Sequence, residues 1–130
     1  MNNWNYDAPW YHGSPDGTLT TLRAGSAITQ NRSVARAFSH KPSIVAGEGS
    51  TVSHNGTIPD GYLYRVSERV TEDDATCTPF PGNEERSEWL ITRDLSVERI
   101  ARTTILPEEL LSTSEVEAMK RKAYQLRRQN

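Results

Sequence analysis

Two periods of hydrophobic and polar positions run along this chain, and the switch between them lays out its elements. Trp10 and Tyr11 favour extended backbone, so Pro9 to His12 reads as a first strand, closed by the turn-forming run Pro15-Asp16-Gly17. Residues 13 to 25 carry Gly13, Gly17, Gly25 and several threonines; they read as a loop anchored inward by Leu19 and Leu22. Ser26 to Thr29 is a short strand. From Asn31 the period becomes helical: Val34, Ala35 and Phe38 share a face behind Asn31 as N-cap, and the helix stops before Lys41-Pro42. Further on, Ser43 to Ala46 and Thr51 to His54 read as strands around a Gly47-Glu48-Gly49 turn, and Asn55-Gly56 carries a hairpin signal. Gly61 to Val66 alternates most regularly of all. After the irregular stretch 71 to 87, Glu88 to Thr92 forms a strand that starts on a carboxylate, and Val97 to Leu106 forms another. Pro107 opens a helical turn. Ser114-Glu115-Val116-Glu117 reads as a capping box for a terminal helix to about Arg128, docked through Val116, Met119, Ala123 and Leu126.

Strand, helix, several strands and a closing helix, with no helices between successive strands, predict an α+β domain on a mainly antiparallel, split sheet. The 130 residues fit one domain, its core about 9–106 and its C-terminal helix about 107–128, with residues 1 to 8 as a polar arm. A net charge of -2 is too small to drive whole-surface binding to nucleic acid or anionic lipid. The single Cys77 excludes an internal disulfide and any cysteine-rich zinc site. No apolar run is long enough to span a bilayer, and the first residues lack the apolar core of a secretory signal. A cytoplasmic location with no membrane partner is the expectation.

Candidate chemistry gathers on three stretches. His12-Gly13-Ser14 leaves a strand, Thr29 leads into the short helix carrying Ala35 and Phe38, and Glu88 opens a strand. An imidazole, hydroxyls and a carboxylate lining one cleft would hold a ribose. The carboxylate would accept from its 2′-hydroxyl and stabilise positive charge developing at the anomeric carbon.

In order and spacing, His12-Gly13-Ser14, then Ala27-Ile28-Thr29 with the Val34 to Phe38 helix, then Glu88-Trp89, resemble the three motifs of the ADP-ribosyltransferase superfamily. The resemblance is closest to its histidine-tyrosine-glutamate branch, which includes rifamycin ADP-ribosyltransferases, RNA 2′-phosphotransferases and poly-ADP-ribose polymerases. It covers roughly residues 10 to 105. It implies NAD as substrate, with no metal, transfer of ADP-ribose to an acceptor the sequence does not name, and release of nicotinamide. Under it, His12 binds the adenosine-side ribose, Gly13 bonds the nicotinamide carboxamide through its backbone, and Ser14 supports a ribose hydroxyl. Glu88 holds the nicotinamide ribose 2′-hydroxyl and promotes departure of nicotinamide, and the segment from about Gly82 to Ser87 meets the acceptor. Two positions depart from the pattern. Ala27 stands where the family has a tyrosine that stacks on nicotinamide, leaving Phe38 or Tyr64 to supply a ring. Arg86 stands two residues before Glu88 in place of an acidic or amide residue, which weighs against an arginine acceptor.

Two other functions compete. Ala27 favours a non-catalytic module that binds an NAD-derived nucleotide. The basic end of the terminal helix (Lys120, Arg121, Lys122, Arg127, Arg128) favours an RNA-directed protein, a 2′-phosphotransferase or a ribonuclease using two of His12, His40 and His54 as acid and base, with Lys41 on the phosphorane. The same basic charges also suit a helix C-terminus on electrostatic grounds.

Overall fold

In the computed structural model, residues 7–42, 45–48, 51–77 and 88–129 are described, with backbone alone for 45–48, 51 and 122–129. The strands are β1 (Tyr11–Ser14), β2 (Thr21–Leu22), β3 (Ala27–Thr29), β4 (Val45–Glu48), β5 (Thr51–His54), β6 (Asp60–Val66), β7 (Ala75–Cys77), β8 (Glu88–Ile91) and β9 (Leu95–Thr104). The helices are α1 (Arg32–Phe38) and α2 (Thr113–Gln129). Seven strands form one curled, wholly antiparallel sheet in the order β2-β9-β6-β1-β3-β8-β7, and β4 and β5 make a separate hairpin. The expected α+β architecture is the one observed.

Alternation decides which face each strand buries. Along β8, Trp89 and Ile91 are buried while Glu88 and Leu90 are half-buried; along β9, Leu95 and Val97 are buried between exposed neighbours. These side chains meet Trp10, Leu22, Ile28, Tyr64 and Val66 inside the curl, where the Trp10 and Trp89 rings pack edge to face at 6.1 Å. The other face of the sheet carries α1. Seven residues are too few for a helix to hold itself in water, so its stability comes from its cap and its packing. Asn31 supplies the cap, its Oδ1 accepting from the backbone N–H of Ser33 at 3.0 Å and of Val34 at 3.3 Å. Val34 and Ala37 form a small second cluster with Val52 of β5, and Phe38 packs against it.

Several sequence expectations need correction. Asn55-Gly56 does not turn a hairpin: β4 and β5 pair from Val45↔His54 to Glu48↔Thr51, so the chain reverses before β5 and Gly47 and Glu48 lie in β4. Gly56 is instead buried, its N–H bonded to His54 Nδ1. The capping box of α2 begins at Ser112, whose Oγ accepts from Glu115 N at 3.1 Å while Glu115 Oε1 accepts from Ser112 N at 3.0 Å. Short strands hide in two stretches that read as irregular, β2 within 13–25 and β7 within 71–87; each pairs at the sheet's rim, where tertiary context outweighs local propensity. Of the α2 face expected to dock, Val116 and Met119 are half-buried, while the side chains of Ala123 and Leu126 lie outside the described residues. Ser43, the residues 1–6 and the segment 78–87 lie outside them as well. Among the described residues, no helix is long and apolar enough to cross a membrane.

Candidate functional site

The three motif-bearing strands are neighbours. β1 pairs with β3 at Tyr11↔Thr29, and β3 pairs with β8 at Thr29↔Glu88, so Tyr11, Thr29 and Glu88 form one row across three strands. The span from β1 to β8 is about 10 Å at ordinary strand spacing. Residues 11 and 88, far apart in sequence, thus fall on one row.

The β1–β3 junction is unusual. It has a single registered pair, Tyr11↔Thr29, and beyond it the ladder stops. Instead, the His12 ring enters the gap, with Nδ1 2.6 Å from the Ala27 carbonyl oxygen. A carbonyl only accepts, so Nδ1 carries the proton and Nε2 of the neutral ring presents a lone pair. Burial pushes the His12 pKa below its ordinary value of 6.5, although the Ala27 bond acts in the other direction.

Hydrogen-bond alternation identifies what else faces the gap. Val66 N–H donates to the Trp10 carbonyl, so Trp10, His12 and Ser14 turn their backbone polar groups toward β6, and Tyr11 and Gly13 turn theirs toward β3. Tyr11 is paired there with Thr29. Gly13 has no registered partner in β3, so its N–H and C=O address the opening where β1 and β3 part. One donor and one acceptor side by side match the donor–acceptor edge of a carboxamide.

Gly13 is glycine for a second reason. A Cβ there would run into the Ala35 carbonyl and the Ser39 amide of the helix end. The bare Cα lets α1 lie directly on β1, and this close approach fixes the C-terminal end of α1, including Phe38, over the strand. The ring of Phe38 is half-buried against Val34, Ala37 and Val52.

Glu88 is half-buried at the start of β8, and burial raises its pKa above the usual 4.5. By register its side chain shares the α1 face with Tyr11 and Thr29. His12 alternates to the other face, beside Tyr64, with ring centroids 6.5 Å apart. Imidazole and carboxylate therefore start from opposite faces of the sheet, not from the walls of a cleft on one face.

Other expected site residues take different positions. Tyr64 is fully buried: its hydroxyl donates to the Asp16 carbonyl at 2.6 Å and accepts from Leu19 N–H at 3.1 Å. It braces the loop after β1 and offers no ring face to a ligand. Thr29 is also buried, its Oγ1 accepting from Asn31 N–H at 3.0 Å at the entrance to α1. Ser14 Oγ accepts from Asp16 N–H at 3.0 Å and so shapes its own turn. His40 and His54 are wholly buried, which removes them as a ribonuclease's acid and base. Sequence reasoning missed Tyr11, a half-buried ring in the Glu88 row with the Arg32 guanidinium 5.7 Å from its centroid. The signal was present in the strand alternation that pairs it, across β3, with the carboxylate. The segment proposed to meet the acceptor, Gly82 to Ser87 with Arg86, lies outside the described residues.

Compared with known proteins, the chain matches no protein-family model and no curated protein.

Proposed function

We propose that this chain is an ADP-ribosyltransferase-like protein that takes NAD as substrate, releases nicotinamide and transfers ADP-ribose to an acceptor. The observation that carries the reading is the unpaired backbone of Gly13 facing the opening between β1 and β3, with Glu88 in the adjoining row. The nicotinamide carboxamide bonds to the Gly13 N–H and C=O. Phe38, and in this reading Tyr11, supply aromatic surface in place of the absent ring at Ala27. His12 Nε2 accepts from a ribose hydroxyl on the adenosine side. Glu88 accepts from the 2′-hydroxyl of the nicotinamide ribose and opposes the positive charge that develops as the glycosidic bond breaks. The acceptor then takes the anomeric carbon, in a cytoplasmic setting where Cys77 stays reduced.

The test is nicotinamide release from NAD, followed with and without candidate acceptors. Glu88→Gln removes the charge and keeps the shape, and is expected to slow release by about 10²–10³-fold, as loss of a preorganised electrostatic group does. Equal rates for the two proteins, or no release under any condition, refute the enzymatic reading.

One observation favours a second reading. Ala27 lacks a stacking ring, and His12 and Glu88 leave the sheet on opposite faces. A binding module that retains an NAD-derived nucleotide without turning it over needs the Gly13 edge and His12 but not the carboxylate. Calorimetric binding unaffected by Glu88→Gln, with no nicotinamide released, identifies that case.

A further inference from the structure

Just past the C-terminal end of α1, two histidines meet. His40, just past the helix, and His54, ending β5, have no solvent exposure, and their rings stack with centroids 5.6 Å apart and planes 15° apart. Their bonding fixes opposite tautomers. His40 Nδ1 lies 2.8 Å from the Ile58 carbonyl and must donate to it. His54 Nδ1 receives the Gly56 amide at 2.9 Å, so it must carry a lone pair. Nε2 of each ring is buried with no hydrogen-bond partner among the described residues.

The fold closes on this pair from three sides. Thr57 N–H and Ile58 N–H both donate to the His40 carbonyl, at 3.1 and 3.2 Å. A Cβ on Gly56 would strike His40 Cβ and His54 Nδ1, so the loop is pressed against both histidines. The arm leading into α2 then docks on β5: Leu111 N–H donates to the His54 carbonyl at 2.8 Å, and Leu110 bridges to His54 in parallel. Among the described residues, the titratable and charged groups facing His54 are His40, Arg36 of α1 and Glu109 of the 3-10 turn Pro107–Glu109. Arg36 and Glu109 form an ion pair at 3.0 Å, and Arg36 also donates to the Thr104 carbonyl at 2.8 Å.

We infer that the His40–His54 pair is a proton-operated latch that holds the Leu110–Leu111 arm, and with it the base of α2, against β5. A proton arriving on His54 can enter only at Nδ1, which is bonded to Gly56 N–H. Protonation therefore replaces an N–H···N bond with two opposed N–H groups and places a cation beside Arg36 and the His40 ring. The loop at Gly56 lets go, and the β5 edge that carries Leu111 goes with it. Burial, then His40 and Arg36, disfavour the proton, while Glu109 favours it; the folded pKa lies below the ordinary 6.5. The latch is therefore closed above about pH 6.5 and opens as the pH falls through the folded value.

Hydrogen exchange by NMR, corrected for the intrinsic rate, tests this between about pH 7.5 and about pH 5.5. Protection of the Gly56 and Leu111 amides is expected to fall by up to about tenfold per pH unit, while Leu63 and Val97 in the sheet hold theirs. His54→Asn keeps an acceptor near the Nδ1 position and cannot titrate, so its Leu111 protection is expected to be flat with pH. The 15N shifts of His54 in the unaltered protein give a check that needs no variant: Nδ1 reads as unprotonated at neutral pH and titrates together with Leu111 exchange. Three results overturn the latch: protection that does not change with pH, simultaneous loss in the sheet, or a protonated Nδ1 at neutral pH.

Discussion

Replacing Gly13 by alanine separates two explanations for that glycine, because the two predict opposite signs. Alanine restricts the unfolded chain more than glycine, which by itself stabilises the folded state by about 0.4–1 kcal/mol. Against this stands the helix: the new methyl would occupy space held by the Ala35 carbonyl and the Ser39 amide, both main-chain atoms of the α1 end. No side-chain rotation relieves such a contact, so α1 has to lift from β1 as a unit. Overpacking of this kind costs about 1–3 kcal/mol or more, and a rigid backbone neighbour places it at the upper end. The net expectation is a loss of about 2 kcal/mol. For a chain of 130 residues, unfolding entropy scaled by length converts this to a melting point lower by about 7 °C. Urea unfolding followed by far-UV circular dichroism measures it. The control is Gly25→Ala, where a Cβ meets no atom within 4 Å and the cost comes only from the backbone at φ +94°, about 1 kcal/mol. A Gly13→Ala protein as stable as its parent would remove the helix contact as the reason for the glycine.

Other expectations follow from the same geometry. Tyr64→Phe deletes the hydroxyl that links Asp16 and Leu19 and leaves both backbone groups without it, at a cost of about 1–3 kcal/mol in urea unfolding; an unchanged midpoint refutes the bracing role. Asp74 accepts from Arg93 Nε at 2.8 Å and Thr71 N–H at 2.8 Å, and these hold its pKa at about 2 against the ordinary 3.8. The carboxylate's contribution is present above about pH 4 and is lost as the pH falls toward 2; solvent screening around the half-exposed Arg93 reduces it to about 1 kcal/mol. Asp74→Asn should flatten stability over that interval, and parallel pH profiles for the two proteins contradict the assignment. Because His12 is neutral with Nε2 as acceptor, nucleotide affinity measured by calorimetry is expected to be level above about pH 6.5 and to weaken below the depressed pKa by up to tenfold per unit. Affinity that rises on acidification contradicts the tautomer.

The sequence revealed elements more readily than faces. Asn31 followed by Val34, Ala35 and Phe38 announced α1 because a cap and a helical period are local signals. The alternation from Gly61 to Val66 announced β6, which became the strand between β1 and β9. The neighbouring order of β1, β3 and β8 was not legible in the sequence, since pairing partners far apart in the chain leave no local trace. Side-chain direction was the harder part. Whether His12 and Glu88 share a face depends on one-residue register, and whether Tyr64 is a ligand ring or a core ring depends on what covers it. Gly56 carries the residue pattern of a turn, yet packing against His40 and His54 decides its place.

The imidazole at the β1–β3 seam stands in for a missing rung, because its Nδ1 satisfies a carbonyl that the strand itself leaves alone. The ring cannot be exchanged without disturbing the seam that joins β3, β8 and β7 to the rest of the sheet, and any replacement must be a planar donor of the same reach. A substitution at this position will register first as loosened architecture along that seam.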